Sequence, residues 1–126
     1  MIAGLGTDVV KTERIRLLLE KYGDDFLKKI LAEDELSSGG KETLSPERLA
    51  GKWAAKEAVA KALGCGFGSS CAITDIHIAH DSFGAPTVTL SGAAEKRARE
   101  LGVGQIHISI THEKEYASSV AVLERF

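Results

Sequence analysis

Hydrophobic and polar residues change their spacing several times along the 126-residue chain. Residues 2–7 are apolar and rich in glycine, which indicates a short buried strand. A helical spacing of apolar residues follows over residues 9–22, and residues 23–25 end that helix and cap a second short one. The segment 36–44 is polar and contains two adjacent glycines, so it predicts a mobile loop.

The longest predicted helix starts after Ser45, a typical N-cap residue, and has Pro46 at its first helical position. It continues to Leu63 and ends at Gly64, because glycine commonly terminates helices. Small and apolar residues lie on every side of its second half. That distribution predicts a buried helix, since a surface helix has one polar face.

Strand patterns dominate the second half of the chain. Strand patterns predict strands over residues 73–80, 87–90, 106–111 and 117–123. Between the second and third of these strands, residues 93–101 predict a short charged helix. Helices followed by hairpin-linked strands indicate an α+β fold, with an antiparallel sheet packed against the long buried helix. The length predicts a single domain over residues 1–126.

The composition, with 44% hydrophobic and 27% charged residues, is ordinary for a globular domain and excludes disordered and collagen-like chains. A net charge of −2 argues against bulk attraction to nucleic acid or anionic membranes, so any anion site has to be local. No apolar run approaches the ~18 residues of a membrane span, and residues 1–8 lack the basic start of a secretory signal. Cys65 and Cys71 lack a metal-binding spacing, which predicts two reduced thiols in a cytoplasmic protein.

Glu57 is the first candidate for chemistry. On a helical projection it lies within about 60° of Trp53, Ala54 and Lys61, so a carboxylate and an ammonium group share an apolar stripe. One interpretation is an intrahelical pair between Glu57 and Lys61, which would be worth only ~0.3–0.5 kcal/mol. The other is a site in which a bound ion compensates these charges, because burying them alone costs several kcal/mol.

Asp8 supplies a second carboxylate, either as an N-cap of the first helix or as a ligand. Two carboxylates from separate elements, without nearby His or Cys, suit a hard cation such as Mg²⁺, which often keeps waters and uses phosphate oxygens as further ligands. Lys52, Lys56 and Lys61 place positive charge around the same helix, either for phosphate binding or as a solvated basic edge. These residues together predict phosphoryl or pyrophosphate chemistry.

Three motifs resemble a known family. They are Gly4-Leu5-Gly6-Thr7-Asp8, Trp53-Ala54-Ala55-Lys56-Glu57-Ala58 and Ser109-Ile110-Thr111-His112. In this order and spacing they are similar to the holo-[acyl-carrier-protein] synthases, which are small, single-domain phosphopantetheinyl transferases of fatty acid biosynthesis. The similarity extends over essentially the whole chain.

The resemblance implies transfer of 4′-phosphopantetheine from coenzyme A to a serine of apo acyl carrier protein, with release of adenosine 3′,5′-bisphosphate. It also implies the phosphopantetheinyl transferase fold, Mg²⁺ as cofactor, a cytoplasmic location and a homotrimer with active sites between subunits. Two other classes stay open: another Mg²⁺-dependent enzyme acting on a phosphoanhydride, and a non-catalytic α+β oligomer in which the Glu57–Lys61 pair is structural.

Residue by residue, the resemblance implies that Asp8 and Glu57 bind Mg²⁺ and that Glu57 and Lys61 are catalytic. Glu57 or a magnesium-bound water would take the proton of the attacking serine. The coenzyme A contacts that it implies are Lys52, Lys61, Gly66, Pro86, Thr111 and His112. The sequence alone, without the resemblance, predicts that His112 is a hairpin-turn residue and that His77, His80 and His107 are ordinary sheet residues.

Lys11, Arg14, Leu18 and Lys21 fall within an ~80° arc of the first predicted helix. This basic stripe with an apolar centre predicts a docking face for the acidic carrier protein, made by Arg14, Leu18 and Lys21. The alternative is a solvated face with Leu18 turned inward. The resemblance supports Arg14 most directly.

Overall fold

A computed structural model describes residues 1–37, 44–66 and 71–126. Its strands are β1 (Ile2–Lys11), β2 (Ile76–His80), β3 (Pro86–Leu90), β4 (Val103–His112) and β5 (Tyr116–Arg125). Its helices are α1 (Thr12–Tyr22), α2 (Asp24–Ile30), α3 (Glu33–Ser37), α4 (Pro46–Leu63) and α5 (Gly92–Glu100). The predicted α+β class is confirmed. Of the predicted loop, residues 36–37 end α3, and residues 38–43 lie outside the described residues.

The strands form two antiparallel sheets. The larger sheet has the order β1-β5-β4, and the smaller one is the hairpin of β2 and β3. The two hairpins expected from the alternating pattern are confirmed, with His80 opposite Pro86 in one and Ile108 opposite Ala121 in the other. The sequence pattern did not reveal that β1 pairs with β5, which brings the two ends of the chain together in one sheet.

Helix α4 packs across one face of the three-stranded sheet. Its start and end follow the prediction: Oγ of Ser45 accepts a hydrogen bond from the Arg48 N–H (3.3 Å), and Gly64 adopts the left-handed conformation with φ 71°. Eleven of its 18 residues are buried, so the predicted buried helix is confirmed. Gly4 and Gly6 of β1 allow the close approach, because a methyl group there would clash with backbone carbonyls of α4.

The first strand differs from the prediction in length and burial. It extends to Lys11 and lies at the edge of the sheet, where Leu5 and Val9 are 64% and 65% exposed. The expected buried strand was wrong because α4 covers only one face of this sheet. Since α1 starts at Thr12, Asp8 belongs to the strand and cannot be the helix N-cap.

Smaller differences concern the middle of the chain. Residues Ile73–Asp75 form a 3-10 turn, so the predicted strand is shorter and starts at Ile76. Within the described ranges, no helix is long and apolar enough to cross a membrane. Cys65 and Cys71 are both buried and have free thiols in the structure, in line with the predicted reduced pair.

Candidate active site

Asp8, Glu57 and Lys61 form one cluster at the β1 edge of the sheet. Asp8 is 15% exposed and lies on the face of β1 that packs against α4. Nζ of Lys61 lies 3.2 Å from Oδ1 of Asp8 and donates to the carbonyl oxygen of Thr7 at 3.0 Å. In the described part of the chain no ion pair joins Lys61 to Glu57. The intrahelical Glu57–Lys61 pair is therefore wrong, and Lys61 pairs instead with Asp8, which links α4 to β1.

Burial and neighbouring charges shift the pKa of the Glu57 carboxyl group. Its pKa is raised, first because the group is partly buried and second because the negative charge of Asp8 repels a second negative charge. The positive charges of Lys61 and Arg14 act in the opposite direction. Asp8 and Glu57, 49 positions apart in the sequence, are therefore close enough in space to interact.

The donor set of this acidic cluster is small and made of oxygen atoms. No group of three or more His, Cys, Asp or Glu side chains is arranged to hold a metal among residues 1–37, 44–66 and 71–126. Two carboxylates fit the protein share of a Mg²⁺ site, because Mg²⁺ commonly binds one or two carboxylates and completes its shell with water and phosphate oxygens. They do not fit Zn²⁺, which prefers imidazole and thiolate ligands.

Helix α1 lies beside the acidic cluster. The guanidinium carbon of Arg14 lies 5.7 Å from the centre of the Trp53 ring, a cation–π contact that holds this charge near Glu57. Lys21 is exposed and lies over the ring of Tyr22. Leu18 is half-buried and packs against the hydrophobic core, so the basic stripe has its apolar centre turned partly inward. Lys11 does not belong to this helix, since it ends β1.

A cleft of about 560 Å³ lies at the opposite, β4 edge of the sheet. Helix α4 contributes Arg48, Gly51 and Lys52, while the hairpin and β4 contribute Pro86 and His112. The other lining residues are Glu35, Leu44, His80, Gly84 and Ile110. Two permanent cations and two histidines in one cleft suit an anionic ligand.

Beneath the cleft, Glu35 forms a buried network that sequence reasoning missed. One carboxylate oxygen accepts hydrogen bonds from Nζ of Lys56 and from the Ala32 N–H (2.9 Å), and the other accepts from the Ile78 N–H (3.2 Å). Nζ of Lys52 lies 3.7 Å from the same carboxylate and donates to the carbonyl oxygen of Ile78 at 3.1 Å. Glu35 thereby ties α4 to the β2–β3 hairpin.

For Lys56 both predicted alternatives, phosphate binding and a solvated basic edge, are wrong. Its side chain is fully buried, whereas that of Lys61 is 55% exposed. Burial lowers the pKa of Lys56, and the adjacent Glu35 carboxylate opposes that shift. A helix that is apolar on every side does not indicate which lysine points inward, and its partner Glu35 lies just before the segment interpreted as a loop.

His80 was treated as an ordinary sheet residue, yet it lines the cleft. Its pKa is lowered, first by burial and then by the positive charges of Lys52 and Arg48, while Asp81 acts in the opposite direction. The hairpin pattern contained a usable signal, because its register places His80 opposite Pro86, a predicted coenzyme A contact.

Two predicted coenzyme A contacts lie away from the cleft. Thr111 is exposed on the face of the sheet that points away from α4. Gly66 is exposed beyond the end of α4, and an added methyl group there would meet nothing within 4 Å. The remaining histidines have polar partners: His77 bonds Asp34 and Ser91 at 2.8 Å each, and His107 bonds Glu124 at 3.0 Å.

The acidic cluster and the cleft lie on opposite sides of the same chain. Strand β5 separates β1 from β4, and on α4 Glu57 and Lys61 lie about 140° and 180° from Lys52. One chain therefore does not bring all the predicted site residues together.

A sequence model of the 4′-phosphopantetheinyl transferase superfamily matches residues 4–121. The chain belongs to this superfamily. It is 48% identical to the holo-[acyl-carrier-protein] synthase of Shewanella amazonensis, with 97% of this chain and 98% of that one covered. The identity to the holo-[acyl-carrier-protein] synthase of Vibrio cholerae is 41%, with 99% of both chains covered.

Solved structures of phosphopantetheinyl transferases agree with the fold. The holo-[acyl-carrier-protein] synthase of Neisseria meningitidis is similar with a TM-score of 0.87 and 35% identity, over 99% of this chain and 100% of that one. The Helicobacter pylori enzyme, solved in complex with coenzyme A, has a TM-score of 0.83 and 28% identity, over 95% and 99%. The predicted phosphopantetheinyl transferase fold is confirmed.

Proposed function

We propose that this chain is a holo-[acyl-carrier-protein] synthase. It transfers 4′-phosphopantetheine from coenzyme A to a serine of apo acyl carrier protein and releases adenosine 3′,5′-bisphosphate. The observation that carries the proposal is the convergence of Asp8, Glu57 and Lys61 in a chain whose curated relatives are holo-[acyl-carrier-protein] synthases over nearly their full length. The function rests on one transferase domain, residues 1–126.

Asp8 and Glu57 would hold Mg²⁺. Burial and, second, repulsion from Asp8 raise the pKa of Glu57, so a dication between the two carboxylates would stabilise their charged forms. When bound, Mg²⁺ polarises the pyrophosphate of coenzyme A and stabilises charge on the leaving phosphate. The side chain of Lys61 is half-exposed, so its ammonium group can supply a further positive charge for the transferred phosphoryl group.

The nucleotide end of coenzyme A would bind in the cleft at the β4 edge. Arg48 and Lys52 give it permanent positive charge, and His80 and His112 can donate hydrogen bonds to phosphate oxygens. Pro86 would contact the nucleotide from the hairpin. Gly66 and Thr111, which do not line this cleft, remain in the proposed contact set because a neighbouring subunit can bring them to the same ligand.

A homotrimer with sites between subunits would unite the two halves. The face of the large sheet that points away from α4 carries exposed Leu5, Val9 and Val120, an apolar surface that a second copy would cover. A ring of copies uses a heterologous interface, so the β1 edge of one subunit can meet the β4 edge of the next. Each ring contact would then complete one site.

The acyl carrier protein would dock on α1 through Arg14, Leu18 and Lys21. The charge of Arg14 already acts on Glu57, so this face adjoins the acidic cluster where the serine has to arrive. This chain is net negative like the acidic carrier, so the local positive charges of Arg14 and Lys21 favour the encounter. We place the reaction in the cytoplasm and in fatty acid biosynthesis, as the resemblance implies.

The proposal is tested by following nucleotide release from coenzyme A by chromatography, with Mg²⁺ and with or without apo carrier protein. We expect adenosine 3′,5′-bisphosphate only when the carrier is present and only when its acceptor serine is intact. Release without the carrier would identify another phosphoanhydride enzyme. No release in any mixture would favour a non-catalytic oligomer.

A further inference from the structure

We propose that Cys65 and Cys71 form a reversible disulfide, which makes them a redox modification site at the C-terminal end of α4. Their Sγ atoms lie 2.6 Å apart, and both residues are buried. A disulfide bond measures about 2.03–2.05 Å, so the sulfurs need to approach by only about half an ångström.

The two cysteines belong to different parts of the fold. Cys65 is fixed on the end of α4, because its N–H donates to the carbonyl oxygen of Ala60 at 3.1 Å. Cys71 comes before the 3-10 turn that leads into β2. The bond would connect the helix that carries Lys61 to the chain segment that leads into the hairpin carrying His80 and Pro86. The disulfide would therefore connect the element that carries part of the acidic cluster to the element that lines part of the cleft.

The environment of the pair slows its oxidation. Burial and the neighbouring Cys65 raise the pKa of the Cys71 thiol to about 12. Because the thiolate is the nucleophile, the sulfur that first loses its proton attacks the oxidant, and the other sulfur lies beside the product.

A small peroxide is the oxidant that suits a buried pair. One sulfur of the pair attacks one oxygen of hydrogen peroxide, the O–O bond breaks, and a sulfenic acid and one water form. The second sulfur then attacks the first and displaces hydroxide, which leaves as water with the proton of the second thiol. Two thiols and one peroxide thus give one disulfide and two waters. In a reducing compartment such a bond is transient, as in redox sensing.

The test uses the folded, full-length protein, treated with hydrogen peroxide and analysed by intact mass and by peptide mapping without reduction. We expect loss of two hydrogen atoms, one linked pair of peptides containing Cys65 and Cys71, and complete reversal by dithiothreitol. The Cys65→Ser and Cys71→Ser variants, confirmed as folded by circular dichroism, should form no internal link.

Two results would overturn the proposal: addition of oxygen atoms to the wild-type protein without a linked peptide, or two thiols that stay free at peroxide concentrations that oxidise a model dithiol. The mass measurement does not use coenzyme A or carrier protein. Failure of the proposed transferase function would leave its result unchanged, so the two can fail separately.

Discussion

Lys61 and Asp8 form an ion pair that joins the last turn of α4 to the middle of β1, with 3.2 Å between Nζ and Oδ1. Glu57, one turn earlier on α4, is partly buried, and its pKa is raised in part by Asp8. Three charged groups from two elements thus share one small volume. This arrangement is expected where a ligand brings charges of its own, because a structural pair needs only two groups.

Mixed trimers test whether the acidic cluster and the cleft of different subunits form one site. In the proposed homotrimer, Glu57→Gln subunits lack the acidic function and Arg48→Ala/Lys52→Ala subunits lack the cleft charges, so each variant alone should be nearly inactive. After co-refolding of equal amounts, random assembly gives about one competent site in four. We expect about a quarter of wild-type transferase activity. If each site lay within one subunit, mixing would restore nothing.

The docking face on α1 predicts a selective effect of Arg14→Ala. The KM for the carrier protein should rise about tenfold or more, since charge-assisted contacts contribute about 1.5–3 kcal/mol each and about 1.4 kcal/mol is a factor of ten, while the KM for coenzyme A should change little. Lys28→Ala, at an exposed position of α2, is the matched control for loss of one positive charge. Steady-state kinetics with each substrate varied in turn measures both values. An unchanged carrier KM would refute this docking face.

The buried pair of Glu35 and Lys56 should be more sensitive to loss of one partner than of both. Glu35→Gln leaves the Lys56 ammonium without its counter-charge, so we expect a loss of about 3–5 kcal/mol in the free energy of unfolding. The double variant Glu35→Gln/Lys56→Met also removes the buried ammonium and keeps a side-chain oxygen that can accept from the backbone N–H groups of Ala32 and Ile78, so it should lose less. Urea denaturation of all variants measures the difference. Equal losses in the single and double variants would contradict the assigned network.

His80 predicts a pH dependence. Its folded-state pKa lies below the unfolded value of about 6.5, because burial, Lys52 and Arg48 disfavour its charged form. The unfolded chain therefore binds more protons in the window between these two pKa values. Stability should fall as the pH drops from 6.5 toward the folded-state pKa, and this slope should be absent in His80→Gln.

NMR titration of the His80 ring checks that prediction directly. Binding of adenosine 3′,5′-bisphosphate should raise the pKa of His80, since phosphate charge offsets the cations of the cleft. A folded-state pKa at or above 6.5 in the free protein would show that His80 does not face Lys52 and Arg48 as described.

Local signals in the sequence were sufficient for much of the fold. The caps of α4 at Ser45 and Gly64 and the two hairpins depend on nearby residues, and they were predicted with their boundaries nearly right. Gly4 and Gly6, part of the glycine-rich stretch that indicated the first strand, are the positions at which α4 approaches the backbone closely. The pairing of β1 with β5 depends on contacts over more than 100 residues, for which spacing gives no signal.

The sequence predicted which residue types form the candidate site better than it predicted where these residues lie in the fold. Asp8 and Glu57 were selected as two carboxylates without His or Cys, and the structure brings them within interaction distance. The burial of Lys56 was not predicted, because a helix that is apolar on every side does not show which side faces the core. Glu35 was missed because its partners are distant in sequence. The separation of the two clusters depends on sheet order, which only the fold determines.

The intact mass of the carrier protein tests the central claim most directly. Apo acyl carrier protein is incubated with coenzyme A and this protein, with Mg²⁺ or with chelator, using wild type, Glu57→Gln and the exposed control Glu33→Gln. We predict that wild type and Glu33→Gln add one phosphopantetheine group to the carrier when Mg²⁺ is present. Glu57→Gln should be slower by about 100-fold or more while it remains folded and assembled.

A carrier mass that stays unchanged with the wild-type protein, or that rises equally in chelator, would contradict the account. The same holds if Glu57→Gln loses its thermal unfolding transition and its assembly together with its activity, because Glu57 would then be a structural residue and not a ligand of the catalytic metal.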